Sequence, residues 1–402
     1  MRAAAIGRRA ALRSMCLHCA GLSAWLAADP VSAQPASPAP PVPAADAPPP
    51  ARFTRPAIDT DEGGLWALMD REETRLRRSP FLVRDTALQD YLRGIVCRLA
   101  GDHCPDVRVH VVRTPVFNAN MAPNGMMQVW TGLLLRVENE AQLAAVLGHE
   151  IGHYLERHSV EQLRDFKSRA AFAQFLGLFG AVGSLGQLGM LAGAFAFSRE
   201  HETRADSLGM RLMQRAGYDG QQAAQVWDNL LQELKVSGGE DVGRRSPMMA
   251  THPPVESRRD TLLRLAGDRP GEAGEQAYRD ATLAHRLGWL QDEIRRGQFD
   301  ESLPLLDRLV RKAPRDPVLL FARGEVYRLR AGAPDAARAL EDLSGAVAQE
   351  GVPTIAFRSL GLVHRQRSDA PAALRAFEAY LARTPEAPDA ALIRHYMTEM
   401  TP

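Results

Sequence analysis

The chain has 402 residues, 45% of them hydrophobic, with 49 basic against 48 acidic side chains and a formal net charge of +1. That balance excludes the broad basic face a nucleic-acid binder needs and leaves no strongly charged surface of either sign. The length exceeds what one hydrophobic core ordinarily serves and allows two domains.

Residues 1–33 read as a cleaved export signal. Arg2, Arg8, Arg9 and Arg13 give a basic start, an apolar core follows from Ser14 to Ala28, and Val31-Ser-Ala33 supplies small residues for cleavage, so the mature chain begins near Gln34. The apolar run is too short and interrupted for a membrane span. Residues 34–56 are rich in proline and alanine and are expected to form an extended tether. Removal of Cys16 and Cys19 leaves Cys97 and Cys104 flanking a turn-like loop. In an oxidising compartment that pair is expected to close a local disulfide.

A peptidase-like region is expected over 57–268, mixing helices with a small sheet. Val107–Val112 alternates as a strand and Met126–Trp130 reads as a second, with a Pro/Asn/Gly loop between them. Met127 to Thr131 is the expected edge for pairing an extended peptide.

Downstream of Asn139 comes a helical pattern without proline, in which Leu143, Val146, Leu147, Ile151 and Leu155 mark an apolar face. Within it stands His149-Glu-Ile-Gly-His153. Residues four apart share a helix face, so both imidazoles can address one metal ion, and Glu150 lies beside them as a general base. The charge-free, glycine-rich stretch from Ala170 to Ser198 has the length of a membrane span. A single crossing would put the next ligand on the wrong side, so the expectation is a helical cover over the site, free to touch a membrane. That ligand comes from a second helical pattern starting at Ser198. Glu202 is assigned as third ligand, and Asp206, four residues on, as the acceptor that orients a ligand imidazole. Glu200 and His201 read as a solvated helix face.

Past Ser237–Ser246, rich in glycine, serine and arginine, Thr251-His-Pro-Pro254 holds His252 in extended backbone that could aim it at the cleft. Three roles stay open for His252: fourth metal ligand that excludes water, donor to the tetrahedral intermediate, or a structural ring with Arg258 nearby. Over 277–400 the chain reads as a helical repeat. Gly361, Ala373, Phe377 and Pro385 fall at the positions of a 34-residue tetratricopeptide unit, with degenerate copies around Gly297–Pro314 and Gly324–Pro353. Such arrays stack into concave, partner-binding surfaces.

The two zinc-site motifs, preceded by Phe117–Gly125 and by Thr131-Gly-Leu-Leu134, resemble the M48 zinc metallopeptidases over roughly Thr60 to Leu265. The loop at Asn118 departs from the family, whose members more often carry a glycine pair there. The resemblance implies a mostly helical α+β fold: a gluzincin-type metallopeptidase domain with a small sheet, followed by an all-α repeat domain. It implies one Zn2+ per chain, held by His149, His153 and Glu202 with Glu150 as catalytic base. The family's repeat-bearing envelope members imply a periplasmic endopeptidase acting on misfolded or stalled outer-membrane proteins, recruited to the outer-membrane assembly machinery through its repeats. The competing class is a chaperone or assembly factor with latent proteolysis. Because every expected ligand precedes the repeats, removal of all residues after Asp280 is expected to leave the metal bound.

Overall fold

The computed structural model describes residues 50–167, 197–236, 248, 252 and 258–401. The export signal, most of the tether, nearly all of the 170–198 stretch and the loop over 237–246 lie outside the described residues. Among the described residues no helix is long and apolar enough to cross a membrane.

Local sequence sets the first elements. Helix α1 (Asp61–Arg78) starts where Thr60 accepts from the Gly63 amide, and α2 (Thr86–Ala100) where Asp85 accepts from Leu88. A 3₁₀ turn over Gly101–Asp106 then leads into a three-stranded sheet: β1 (Arg108–Val112), β2 (Ala119–Met121) and β3 (Met126–Trp130). The order is β1-β3-β2, with β1 parallel and β2 antiparallel to β3.

This corrects the expected peptide-pairing edge. Met127 to Val129 is paired on both sides, Thr131 already begins the next helix, and every residue of β3 is buried, so the edges of the sheet are β1 and β2. The expected loop between two strands contains β2 and a tight turn. The Gly125 amide donates to the Ala122 carbonyl at 2.9 Å, with Gly125 at φ +87°, where a side chain would be strained. A three-residue strand is too short to announce itself by alternation.

Helix α3 (Thr131–Arg136) follows β3 directly, and α4 (Glu140–Leu155) begins at a reciprocal cap. Asn139 accepts from the Gln142 amide while Gln142 Oε1 accepts from Glu138 N. All of α4 except Ala145 is buried, packed among α2, β2 and two later helices, α6 (Arg199–Arg215) and α7 (Gln221–Val236); α5 (His158–Lys167) lies between. The α4–α6 crossing is unusually close. A Cβ on Gly209 would stand 2.9 Å from the His149 amide nitrogen, and one on Gly152 would stand 2.8 Å from the Ala205 carbonyl oxygen.

The last residues of the expected tether are seated rather than free. Phe53 packs edge-on to Tyr154 at 5.1 Å, and Arg52 forms two hydrogen bonds with Asp106. An aromatic ring and an ion pair give this stretch something to bind that proline and alanine lack.

After α8 (Arg258–Ala266) the chain is all helical: α9 (Glu275–Arg295), α10 (Phe299–Lys312), α11 (Pro317–Arg330), α12 (Asp335–Val347), α13 (Ile355–Gln366), α14 (Ala370–Arg383) and α15 (Ala390–Met400). Each packs on its neighbour in sequence. The core does not divide between 268 and 277. One cluster of buried apolar side chains runs from Leu88 and Leu134 through Trp227 to Trp289, Leu305 and Phe321.

Candidate metal centre

The site forms where α4 crosses α6. His149 and His153 stand one turn apart on α4, and Glu202 on the first turn of α6 faces both. Ser198 fixes that first turn by accepting from the His201 amide. Atoms Nε2 of His149 and His153 lie 3.0 Å apart, and the Glu202 carboxylate lies 3.5 Å from the first and 3.4 Å from the second. His252 joins them, with Nδ1 2.8 Å from Glu202 Oε1 and 3.2 Å from His149 Nε2. All four residues are buried, and their donor atoms lie within 4.8 Å of one another, an arrangement able to hold a metal ion.

The donor chemistry fits a cation. Asp206 Oδ1 lies 2.9 Å from His149 Nδ1, so that nitrogen carries the proton and Nε2 presents a lone pair. That lone pair faces Nε2 of His153 at a separation where two such lone pairs repel unless a positive charge lies between them. Burial works to raise the Glu202 carboxyl, but the imidazoles of His252 and His149 outweigh it and hold Glu202 well below the usual range, ionised. Burial holds the His153 ring well below the ordinary histidine range, which keeps it neutral and ready to ligate.

Glu150 is also buried, with its Oε1 3.5 Å from His252 Nε2 and without a hydrogen-bond partner. Burial raises its carboxyl above the ordinary range, against the lowering influence of His252 and His149. A carboxyl so tuned is a stronger base than one in water. For His252, burial lowers the ring and the Glu202 and Glu150 carboxylates reverse that, for a net rise. Asp206 stays ionised below its usual range: burial opposes this, and Arg258 with the His149 hydrogen bond prevails.

Residues 83–266 match the family model for peptidase family M48. That segment belongs to peptidase family M48. The chain is 29% identical over 231 residues to the beta-barrel assembly-enhancing protease of Yersinia pestis, an alignment that covers 52% of this chain and 46% of the relative. It is 33% identical over 154 residues to the mitochondrial metalloendopeptidase OMA1 of Arabidopsis thaliana, covering 38% of this chain and 30% of the relative. The OMA1 of Schizosaccharomyces pombe is 32% identical over 153 residues, covering 37% and 44%. The chain thus spans less than half the length of each of these relatives.

Three side chains around the M48 motif escape a reading by spacing. Arg258 reaches Asp206 Oδ1 at 2.7 Å and Glu202 Oε2 at 3.0 Å, with its guanidinium 4.0 Å over the Trp227 ring. His158 Nδ1 lies 2.9 Å from His153 Nδ1. His201, expected on a solvated face, is buried: its ring stacks on His158 at 4.4 Å and its Nε2 lies 3.1 Å from Glu161. The charged run around it imitates a surface helix, and only the fold reveals that α5 covers this side. Cys97 and Cys104 form a disulfide with Cα atoms 4.6 Å apart, closing the end of α2 onto the following turn.

Proposed function

We propose that this chain is an exported zinc endopeptidase that cleaves misfolded or stalled proteins of the cell envelope. The observation that carries the reading is the convergence of His149, His153 and Glu202 donors beside a buried, high-pKa Glu150. These three side chains would hold the metal, and zinc suits a borderline-soft set of two imidazoles and one carboxylate. Bound there, zinc would polarise the scissile carbonyl and acidify a water molecule. Glu150 takes that water's proton and returns it to the leaving amine. Asp206 keeps His149 in the Nδ1–H tautomer, and Arg258 holds the Asp206 and Glu202 carboxylates in place. A substrate strand would pair along the free edge of β2, which packs against α4.

His252 supports latency. Its contacts with Glu202 and His149 put it among the metal donors, so it would occupy the fourth position and keep water out until a substrate displaced it. Envelope location is supported by the export-signal pattern over 1–33, by the Cys97–Cys104 disulfide and by the β-barrel assembly role in the name of the Yersinia relative. The C-terminal helices would act as tetratricopeptide repeats that recruit the outer-membrane assembly machinery. Gly361 supports this, since a Cβ there would stand 2.4 Å from the Phe377 ring, the small-against-aromatic packing its repeat position requires.

Glu150→Gln decides the enzymatic reading. The variant is expected to retain one zinc per chain and lose casein cleavage. Undiminished cleavage by the pure variant, or a wild-type protein that takes up no zinc, would overturn it.

A further inference from the structure

The two histidines on α4 are held by different kinds of partner. His149 gives its Nδ1 proton to a carboxylate, Asp206. Among the described residues no carboxylate stands at His153 Nδ1; the nitrogen of His158, 2.9 Å away, takes that place. If Nε2 of His153 faces the metal, its proton sits on Nδ1 and needs an acceptor. His158 can accept only as a neutral ring with its own proton on Nε2, and that Nε2 has no hydrogen-bond partner. His158 is completely buried, and ligation by His153 Nε2 would commit its ring to one tautomer and one direction of donation.

The surroundings fix that ring. His201 stacks on it, at 24° between planes, from the residue next to Glu202. Glu161 receives the His201 Nε2, and Arg204 grips both Glu161 and Glu156. The turn of α6 that presents the Glu202 carboxylate therefore also clamps the ring behind His153.

We propose that His158 is a positioning residue for the metal centre: it accepts the His153 Nδ1 proton, fixes that ring's tautomer and rotation, and so sets the affinity for zinc. This rests on the reading of His153 as a ligand. A neutral acceptor in place of a second carboxylate also leaves the site one negative charge poorer than a pair of carboxylate-backed imidazoles would be. The donor atoms of His158, Glu161 and His201 also lie within 4.8 Å of one another, which raises the alternative of a second cation. Arg204 on both Glu161 oxygens and the commitment of His158 Nδ1 oppose it.

The test uses zinc and the full mature chain, with affinity measured on apoprotein by competition against a chromophoric chelator. His158→Leu removes the acceptor and is expected to weaken zinc about ten- to a hundredfold. Asn places its amide oxygen near the lost Nδ1 and is expected to restore affinity to within about threefold of wild type, whereas Gln, which reaches only the Nε2 position, is not. Thermal melts separate lost folding from lost affinity, and if the Leu variant does not fold, the Asn-against-Gln comparison decides. Wild-type affinity in folded His158→Leu, equal affinity in the Asn and Gln variants, or two zinc ions per wild-type chain would overturn the proposal. His153→Ala serves as the control for the underlying reading: wild-type affinity in that variant refutes the ligand assignment itself.

Discussion

At the scale of single residues, the site divides by how far its contacts reach along the chain. His149, Glu150 and His153 are legible because one helical turn places them together, and Glu202 with Asp206 repeats the same four-residue step. His158 is only five residues past His153, yet its role depends on the Arg157 turn (φ +57°) that bends α5 back over the ring. Arg258, the first residue of α8, and His252 lie about a hundred residues further along the chain, and no local spacing could bring them to the metal donors. The buried charges of Glu202 and Asp206 are mutually dependent with their partners, since each carboxylate is held ionised by a cation or imidazole that it also holds. His252→Ala tests the one contact a substrate would have to displace. If the ring fills the fourth position, basal casein cleavage rises several-fold while zinc stays bound. If it donates to the tetrahedral intermediate, cleavage falls about 10²- to 10³-fold at similar zinc content. Unchanged cleavage with unchanged zinc affinity would leave His252 a purely structural ring.

At the scale of elements, the sheet and the α4–α6 crossing show what pattern can and cannot convey. The ranges of β1 and β3 follow from alternation and an apolar run, but the order of strands does not, because β3 looks the same whether it is an edge or a centre. Its five buried residues and two neighbours exclude β3 as an edge, and the proposed peptide-pairing edge is β2. The crossing depends on glycines that helix propensity would disfavour. Gly209 lets the α6 backbone approach the His149 amide so closely that Glu202 reaches both rings and Asp206 reaches His149. Gly209→Ala would gain helix propensity and still is expected to destabilise the protein by about 1–3 kcal/mol, because its Cβ meets backbone that cannot swing away. It is also expected to weaken zinc binding by pushing Glu202 outward. Thermal melts and chelator competition read the two effects, and a Gly209→Ala protein that is as stable and binds zinc as tightly as wild type would refute the role given to this crossing.

At the scale of the whole molecule, the order of segments is legible from composition, and the energetic joint between them is not. Every proposed ligand precedes residue 259, which makes the helices after 277 look removable. The buried surface says otherwise. Arg136 on α3 donates to Glu233 on α7 at 2.7 Å and to Glu293 on α9 at 2.9 Å. Arg308 on α10 donates to the same Glu233 at 2.8 Å and to the Arg136 carbonyl at 3.1 Å, and forms an ion pair with Glu138 at 2.8 Å. All of these side chains are buried, and Trp289, Leu290 and Ile294 complete the apolar layer around them. Each charge in such a network depends on its partners, and removal of one partner from a buried pair costs about 3–5 kcal/mol, a large part of a domain's stability. A chain ending at Asp280 would leave Glu138 without its arginine and Arg136 short of one carboxylate, with the apolar layer open to water. It is therefore expected to lose cooperative melting and zinc together, contrary to what the position of the ligands suggests. A chain ending at Ala313 keeps α9, α10 and every member of the network, and is expected to melt cooperatively and hold zinc, with Arg136→Met in the full chain as the point-mutant counterpart of the shorter truncation. Should the Asp280 truncation fold and bind zinc as the full chain does, the first two C-terminal helices would belong to a separable module rather than to the peptidase core.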